Sequence, residues 1–120
     1  MIVQRRSAVN PKAEALKKRT KRFALDILRF RRTLPPTDDA RDLGRQLSRS
    51  GTGVAAGYRS VCRSRSDSEF AARMGMALDG ADESALWLEI ITEDGLSRTP
   101  TAFKLLDEAE QLTAIFAASL

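Results

Sequence analysis

The sequence predicts an all-α protein, an antiparallel up-down-up-down four-helix bundle that assembles as a homo-oligomer. Three observations carry the fold. Apolar residues recur at spacings of three and four along four segments, each segment opens on a capping residue and closes on a breaker, and none shows the alternation of a strand. With 120 residues, 42% hydrophobic and 30% charged, the chain has the size of one domain.

The first helix is expected over residues 11–34. Asn10 caps it, Pro11 occupies a first helical position whose N–H is not needed, and Leu16, Thr20, Phe23, Ile27, Phe30 and Leu34 form its inner face. Pro35-Pro36 ends it, because neither proline has an N–H and the first disfavours a helical Leu34. The residues before it, 1–10, read as a flexible basic arm.

The second helix, residues 38–63, starts at the cap Thr37 with Asp38 and Asp39 in its first turn, where carboxylates complement the helix dipole. Leu43, Leu47, Ser50, Val54, Tyr58 and Val61 mark its inner face. The third, residues 67–94, follows Ser66-Asp67-Ser68-Glu69, a capping box in which serine and glutamate each satisfy an unpaired N–H. Phe70, Met74, Ala77, Ala81, Ala85 and Leu88 line it, and Gly95 is its stop. Thr99-Pro100 opens the fourth, residues 101–119, whose face is Ala102, Leu106, Ala109, Thr113, Phe116 and Leu120, widened by Leu105 and Leu112.

Glycines inside the second helix each cost about 1 kcal/mol relative to alanine. Gly44, Gly51, Ala55 and Cys62 project as a stripe of small residues beside the inner face, which predicts close approach of another helix. The alternative is a break in the helix at Gly51-Thr52-Gly53.

Chemistry is sparse. The chain has no histidine and a single cysteine, so the commonest general base and metal ligand is missing and neither a disulfide nor a zinc site can be built. Asp82-Glu83 and Asp107-Glu108 are neighbours in sequence, but side chains one residue apart on a helix do not face each other, and they read as solvated faces. Cys62 stands among Arg59, Arg63 and Arg65, cations that favour a reactive thiol, yet an inert small residue is the simpler reading. Dinucleotide-binding and P-loop glycine patterns are absent. These features predict a protein that is not an enzyme, with no cofactor and no small-molecule substrate. The lone thiol and the polar opening residues predict a cytoplasmic chain, and no apolar run is long enough to span a membrane.

Charge is divided along the chain. Residues 1–65 carry a formal charge of +12 and residues 66–120 carry −8, giving the net +4. On the second helix Arg41, Arg45, Arg49, Arg59 and Arg63 project within about 40° of one outward direction, a stripe about 33 Å long at 1.5 Å per residue. Thr52 and Ala56 fill its middle, and no acid is expected within it. The first helix adds an outward cluster of Lys18, Lys21, Arg22, Arg29 and Arg32. Aligned arginines suit bidentate contacts to phosphate, and without interleaved aromatic residues they predict sequence-tolerant nucleic-acid binding. The opposing reading is that basic and acidic helices face each other within or between subunits.

Leu25 and Leu28 lie off the inner stripe of the first helix, and Leu86 and Ile90 lie opposite Leu88 on the third. A helix apolar on every side is buried on every side, so these four residues predict a subunit interface.

Gln46-Leu-Ser-Arg-Ser-Gly-Thr52, Tyr58-Arg59, Ser66-Asp-Ser-Glu-Phe70 and Ala81-Asp-Glu-Ser-Ala-Leu-Trp-Leu-Glu89 resemble the bacterial four-helix bundle family that includes the ribosomal RNA intervening-sequence proteins. The resemblance implies a homopentamer. A related branch, the accessory variability proteins of diversity-generating retroelements, consists of basic pentamers that bind a reverse transcriptase and nucleic acid. The chain departs from the family pattern at Gly57, Ser60 and Gly80, where asparagine, glutamate and glutamate are usual, and so lacks any inter-helix or inter-subunit hydrogen bonds those residues make. Together these readings predict a non-enzymatic oligomeric accessory protein that binds RNA or DNA through a basic face beside a polymerase such as a reverse transcriptase. The rival reading is a protein-interaction or scaffold module that docks an acidic protein partner.

Overall fold

Four helices follow one another in a computed structural model that describes residues 10–120: α1 (Pro11–Arg31), α2 (Asp38–Cys62), α3 (Asp67–Glu93) and α4 (Pro100–Ala118). The basic arm expected over residues 1–10 lies outside the described residues, apart from Asn10. Each helix packs against the next in the chain, and α1 meets α4 more loosely to close the bundle. Short connections between packed neighbours make the order up-down-up-down, with α1 and α3 on diagonally opposite corners.

The caps explain where the helices begin. Asn10 Oδ1 accepts the N–H groups of Lys12 (3.0 Å) and Ala13 (3.2 Å), Thr37 Oγ1 that of Ala40 (3.2 Å), and Thr99 Oγ1 that of Ala102 (3.2 Å). Ser66 Oγ accepts the Glu69 N–H at 3.1 Å. The returning half of the expected box differs: Glu69 Oε1 accepts the N–H of Arg65, one residue earlier, at 3.1 Å.

The ends shift for identifiable reasons. α1 stops at Arg31 and not at Leu34, because Pro35 and Pro36 have no N–H for the last carbonyls. The chain tightens into Thr33 N–H to Phe30 C=O (2.9 Å) and Leu34 N–H to Arg31 C=O (3.1 Å). α3 ends one residue before Asp94. Gly95 takes the left-handed conformation, φ 85°, and the Thr92 carbonyl accepts the Gly95 N–H at 3.2 Å and Arg98 Nη1 at 3.1 Å.

The core runs the length of the bundle through Phe23, Ile27, Leu47, Val54, Leu88, Ile91, Leu112 and Phe116, all buried. Tyr58 stacks on Phe116 with ring centroids 5.9 Å apart. On α4 the buried line is Ala102, Leu105, Ala109, Leu112 and Phe116, so Leu105 and Leu112 are central while Leu106 and Thr113 are half-buried. Phe70 and Leu120, expected inside, are exposed because they sit in terminal turns.

α2 is unbroken through Gly51-Thr52-Gly53. A Cβ on Gly51 would stand 3.1 Å from Ile27 of α1, and one on Gly44 would stand 3.0 Å from Arg31 Cγ. The small stripe is therefore where α1 presses close. On the opposite flank, Gly57 and Gly80 sit between α2 and α3, where a Cβ would meet Ala77 Cα at 3.6 Å and Val54 Cγ2 at 3.3 Å. The buried hydrogen bond across this pair joins Ser50 Oγ and Ser84 Oγ at 2.8 Å, and the half-buried Ser60 offers its carbonyl to Arg73 Nη1 at 2.9 Å.

Candidate nucleic-acid interface

The basic residues of α1 and α2 keep their side chains in water because their helices turn the opposite faces to the core. Arg41, Arg45, Arg49, Arg59 and Arg63 are all exposed, as are Lys18, Lys21, Arg22, Arg29 and Arg32. The antiparallel pairing brings parts of the two sets together: the start of α1 lies beside the end of α2. There Lys17, Lys18 and Lys21 face Arg59 and Arg63 across a surface recess of about 450 Å³, with Glu14 and Cys62 completing its lining. Arg29 and Arg32 belong to the other end of α1, so the ten cations do not form one site.

The arginine stripe is less uniform than the sequence predicts, because acids stand inside it. Asp42, one turn before Arg45, pairs with that guanidinium. Arg41 lies 4.0 Å from Asp38 and donates to the Pro36 carbonyl at 2.9 Å. Arg49, Arg59 and Arg63 make no ion pair among the described residues, and Arg63 donates only to the Arg59 carbonyl at 3.3 Å. Unneutralised charge is thus concentrated toward the C-terminal half of α2. Among the described residues Arg22 is the one of the five α1 cations that is paired, with Asp26 at 3.2 Å.

Lys17 joins the recess although the outward projection does not select it. It lies on the flank of α1 that faces α2, one turn before Lys21, and pairs with Glu14 at 3.2 Å. Arg31 is spent differently, lying over Gly44 and donating to Ser48 Oγ at 3.3 Å. Cys62 is half-buried at the recess floor. Burial, with Cys62 beside it, pushes the Tyr58 phenol above the ordinary tyrosine range.

Between α1 and α4 a second groove of about 750 Å³ has Phe23, Phe30 and Leu105 in its floor. Its rim is electrically mixed. Arg19 forms a two-pronged pair with Glu108, both contacts 2.7 Å, and donates to Gln111 at 2.9 Å, which ties α1 to α4. Among the described residues no three His, Cys, Asp or Glu side chains gather as a metal-binding group, and no helix is long and apolar enough to cross a membrane.

The four apolar residues predicted at a subunit interface lie on two separate corners. Leu25 and the half-buried Leu28 are on α1, surrounded by the lysines and arginines of that helix, and Leu86 and Ile90 are exposed on α3. Met76, more exposed than any of them, lies on the same side of α3, one heptad before Glu83, outside the four residues that the spacing around Leu88 selects.

This fold occurs in a crystal structure of a protein of unknown function from the S23 ribosomal protein family of Bacteroides thetaiotaomicron. The TM-score is 0.80 and the identity 20%, and the match covers 89% of this chain and 96% of that one. The likeness establishes the bundle architecture. No protein-family model matches the sequence, and no curated protein matches it.

Proposed function

We propose that the protein is a cytoplasmic, non-enzymatic, homo-oligomeric accessory protein that binds the phosphates of RNA or DNA along α2 and the adjoining flank of α1. The observation that carries this reading is the recess where Lys17, Lys18 and Lys21 meet Arg59 and Arg63. Cations from two helices converge there on one concave surface, and a strand of phosphates supplies the counter-charge that the recess itself, with Glu14 as its one acid, does not. The family resemblance supports a pentamer as the assembly and a polymerase such as a reverse transcriptase as the partner beside the nucleic acid.

Arg59→Glu with Arg63→Glu tests it. Fluorescence anisotropy with labelled single-stranded RNA, single-stranded DNA and duplex DNA at about 50 mM salt, where electrostatic binding is strong, should show binding weakened on every sequence alike. Unchanged affinity on all three would overturn the reading. Stoichiometric capture of an acidic protein by a chain that retains no nucleic acid would establish the docking module instead.

A further inference from the structure

The outward face of α1 repeats with the spacing of a coiled-coil seam. Lys18, Lys21, Leu25, Leu28 and Arg32 follow at three, four, three and four residues, with Leu28 half-buried and the other four exposed. The outward face of α3 carries a second strip of three- and four-residue steps in the opposite order, Asp79, Glu83, Leu86, Ile90 and Glu93 at four, three, four and three, with Met76 one step earlier. Each seam is a strip that α-helices pair along, and neither has a partner within the chain, because α1 and α3 stand on opposite corners. None of the charged residues in either seam makes an ion pair among the described residues.

We infer that the α1 seam of one copy docks, parallel, on the α3 seam of a second copy. Position by position the two strips complement each other. Lys18 meets Asp79, Lys21 meets Glu83, Leu25 meets Leu86, Leu28 meets Ile90, and Arg32 meets Glu93. Run antiparallel with the strip ends aligned, the strips would set Lys21 against Ile90 and Leu28 against Glu83, but shifted by one position they would again pair Leu25 with Ile90 and Leu28 with Leu86. The direction is set by symmetry: a cyclic assembly requires the parallel one, since rotation about an axis along the bundle preserves helix direction and α1 and α3 run the same way. The contact is heterologous, because each copy offers one strip of each kind. It sets neighbouring bundles about five residues, ~8 Å, out of step along the helix axis, a stagger that tilting each bundle supplies.

This rests on the oligomeric part of the proposal above and narrows its nucleic-acid part, because two cations of the recess are drawn into the subunit contact. Lys18 and Lys21 border both the recess and the seam. In the assembled protein they face acids of the next copy, and the nucleic-acid surface is left to Lys17, Arg49, Arg59 and Arg63.

Charge exchange tests the pairing on the full chain by native mass spectrometry and sedimentation. Lys18→Glu with Lys21→Glu, and separately Asp79→Lys with Glu83→Lys, should each reduce the assembly to the 13.2 kDa single chain while keeping the helical circular dichroism of the wild type. All four substitutions in one chain should restore the wild-type mass, and mixing the two double variants should give contacts between unlike variants, which form open or even-numbered assemblies because a five-membered ring cannot alternate the two throughout. A Cys62→Ser background reports the register directly: Leu28→Cys with Ile90→Cys should form intermolecular disulfides, and Lys21→Cys with Ile90→Cys should not. An oligomer whose mass neither double variant changes, a four-fold variant that stays monomeric, or cross-linking of the antiparallel pair only would overturn the inference. A monomeric wild type would overturn it together with the oligomeric reading. Asp79→Lys with Glu83→Lys lies away from the basic face, so loss of assembly in that variant is separable from loss of nucleic-acid binding.

Discussion

Gly51 and Gly53 lie two residues apart in α2 and face opposite conditions. A methyl group on Gly51 would press to 3.1 Å against Ile27, a buried side chain held by the core, whereas a methyl group on Gly53 has nothing within 4 Å. Helix propensity favours alanine at both by about 1 kcal/mol. Gly53→Ala should therefore stabilise by up to about 1 kcal/mol, and Gly51→Ala should lose that gain to overpacking, which typically costs about 1–3 kcal/mol. Urea midpoints of the two variants check the contrast. Tyr58 gives a second residue-scale prediction because it is the sole tyrosine. Its folded-state pKa is raised by burial, so its contribution to stability is intact below the ordinary phenol value near 10 and is lost as pH rises above it. Phenolate absorbance at about 295 nm should appear only as circular dichroism reports unfolding. Phenolate forming near pH 10 in a fully helical protein would contradict that burial.

At the scale of elements, the five α2 arginines are not equivalent. Arg41 and Arg45 already face Asp38 and Asp42, while Arg59 and Arg63 make no ion pair among the described residues and adjoin the lysines of α1. Reversing Arg59 and Arg63 should weaken nucleic-acid binding more than reversing Arg41 and Arg45, measured by anisotropy under one salt condition. The helices and caps were legible because propensity, spacing and capping agree at Asn10, Thr37, Ser66 and Thr99. What was not legible lies where a neighbour decides. The tightened turn after Arg31 depends on two prolines withholding donors. Phe70 and Leu120 follow the inner periodicity into end turns that no other helix covers. The recess itself needed the antiparallel pairing of α1 with α2, which places Lys17 beside Arg59, a juxtaposition that no single-helix projection contains. Asp42 was overlooked because on the wheel it lies beside the stripe, and an arginine side chain is long enough to reach back to it.

For the whole molecule, the bundle is held by one shared core and its charge is arranged around the outside. Leu47 and Leu88 are fully buried on adjacent helices, and Leu47→Ala or Leu88→Ala should each cost about 2–5 kcal/mol, the range for buried leucines whose cavities do not collapse. A single cooperative denaturation curve shifted to lower denaturant would report it. Among the described residues, the −8 of the second half of the chain neutralises the +12 of the first at one side-chain pair only. Arg19 with Glu108 is the one ion pair among the described residues that joins the two halves across the bundle by side chains distant in sequence. The remaining cations face outward on α1 and α2, and the acids of α3 face outward on the opposite corner, which leaves attraction to nucleic acid and to further copies as the two outlets for the same asymmetry.

The most direct test of the central claim is the salt dependence of nucleic-acid binding by the unaltered protein. If Arg49, Arg59, Arg63 and the neighbouring lysines neutralise four or five phosphates, affinity for duplex DNA should fall roughly 100- to 500-fold between about 50 and 200 mM salt, and similarly for unrelated sequences. Absence of any retention of single- or double-stranded nucleic acid at about 50 mM salt, or binding that does not respond to salt, would contradict the account.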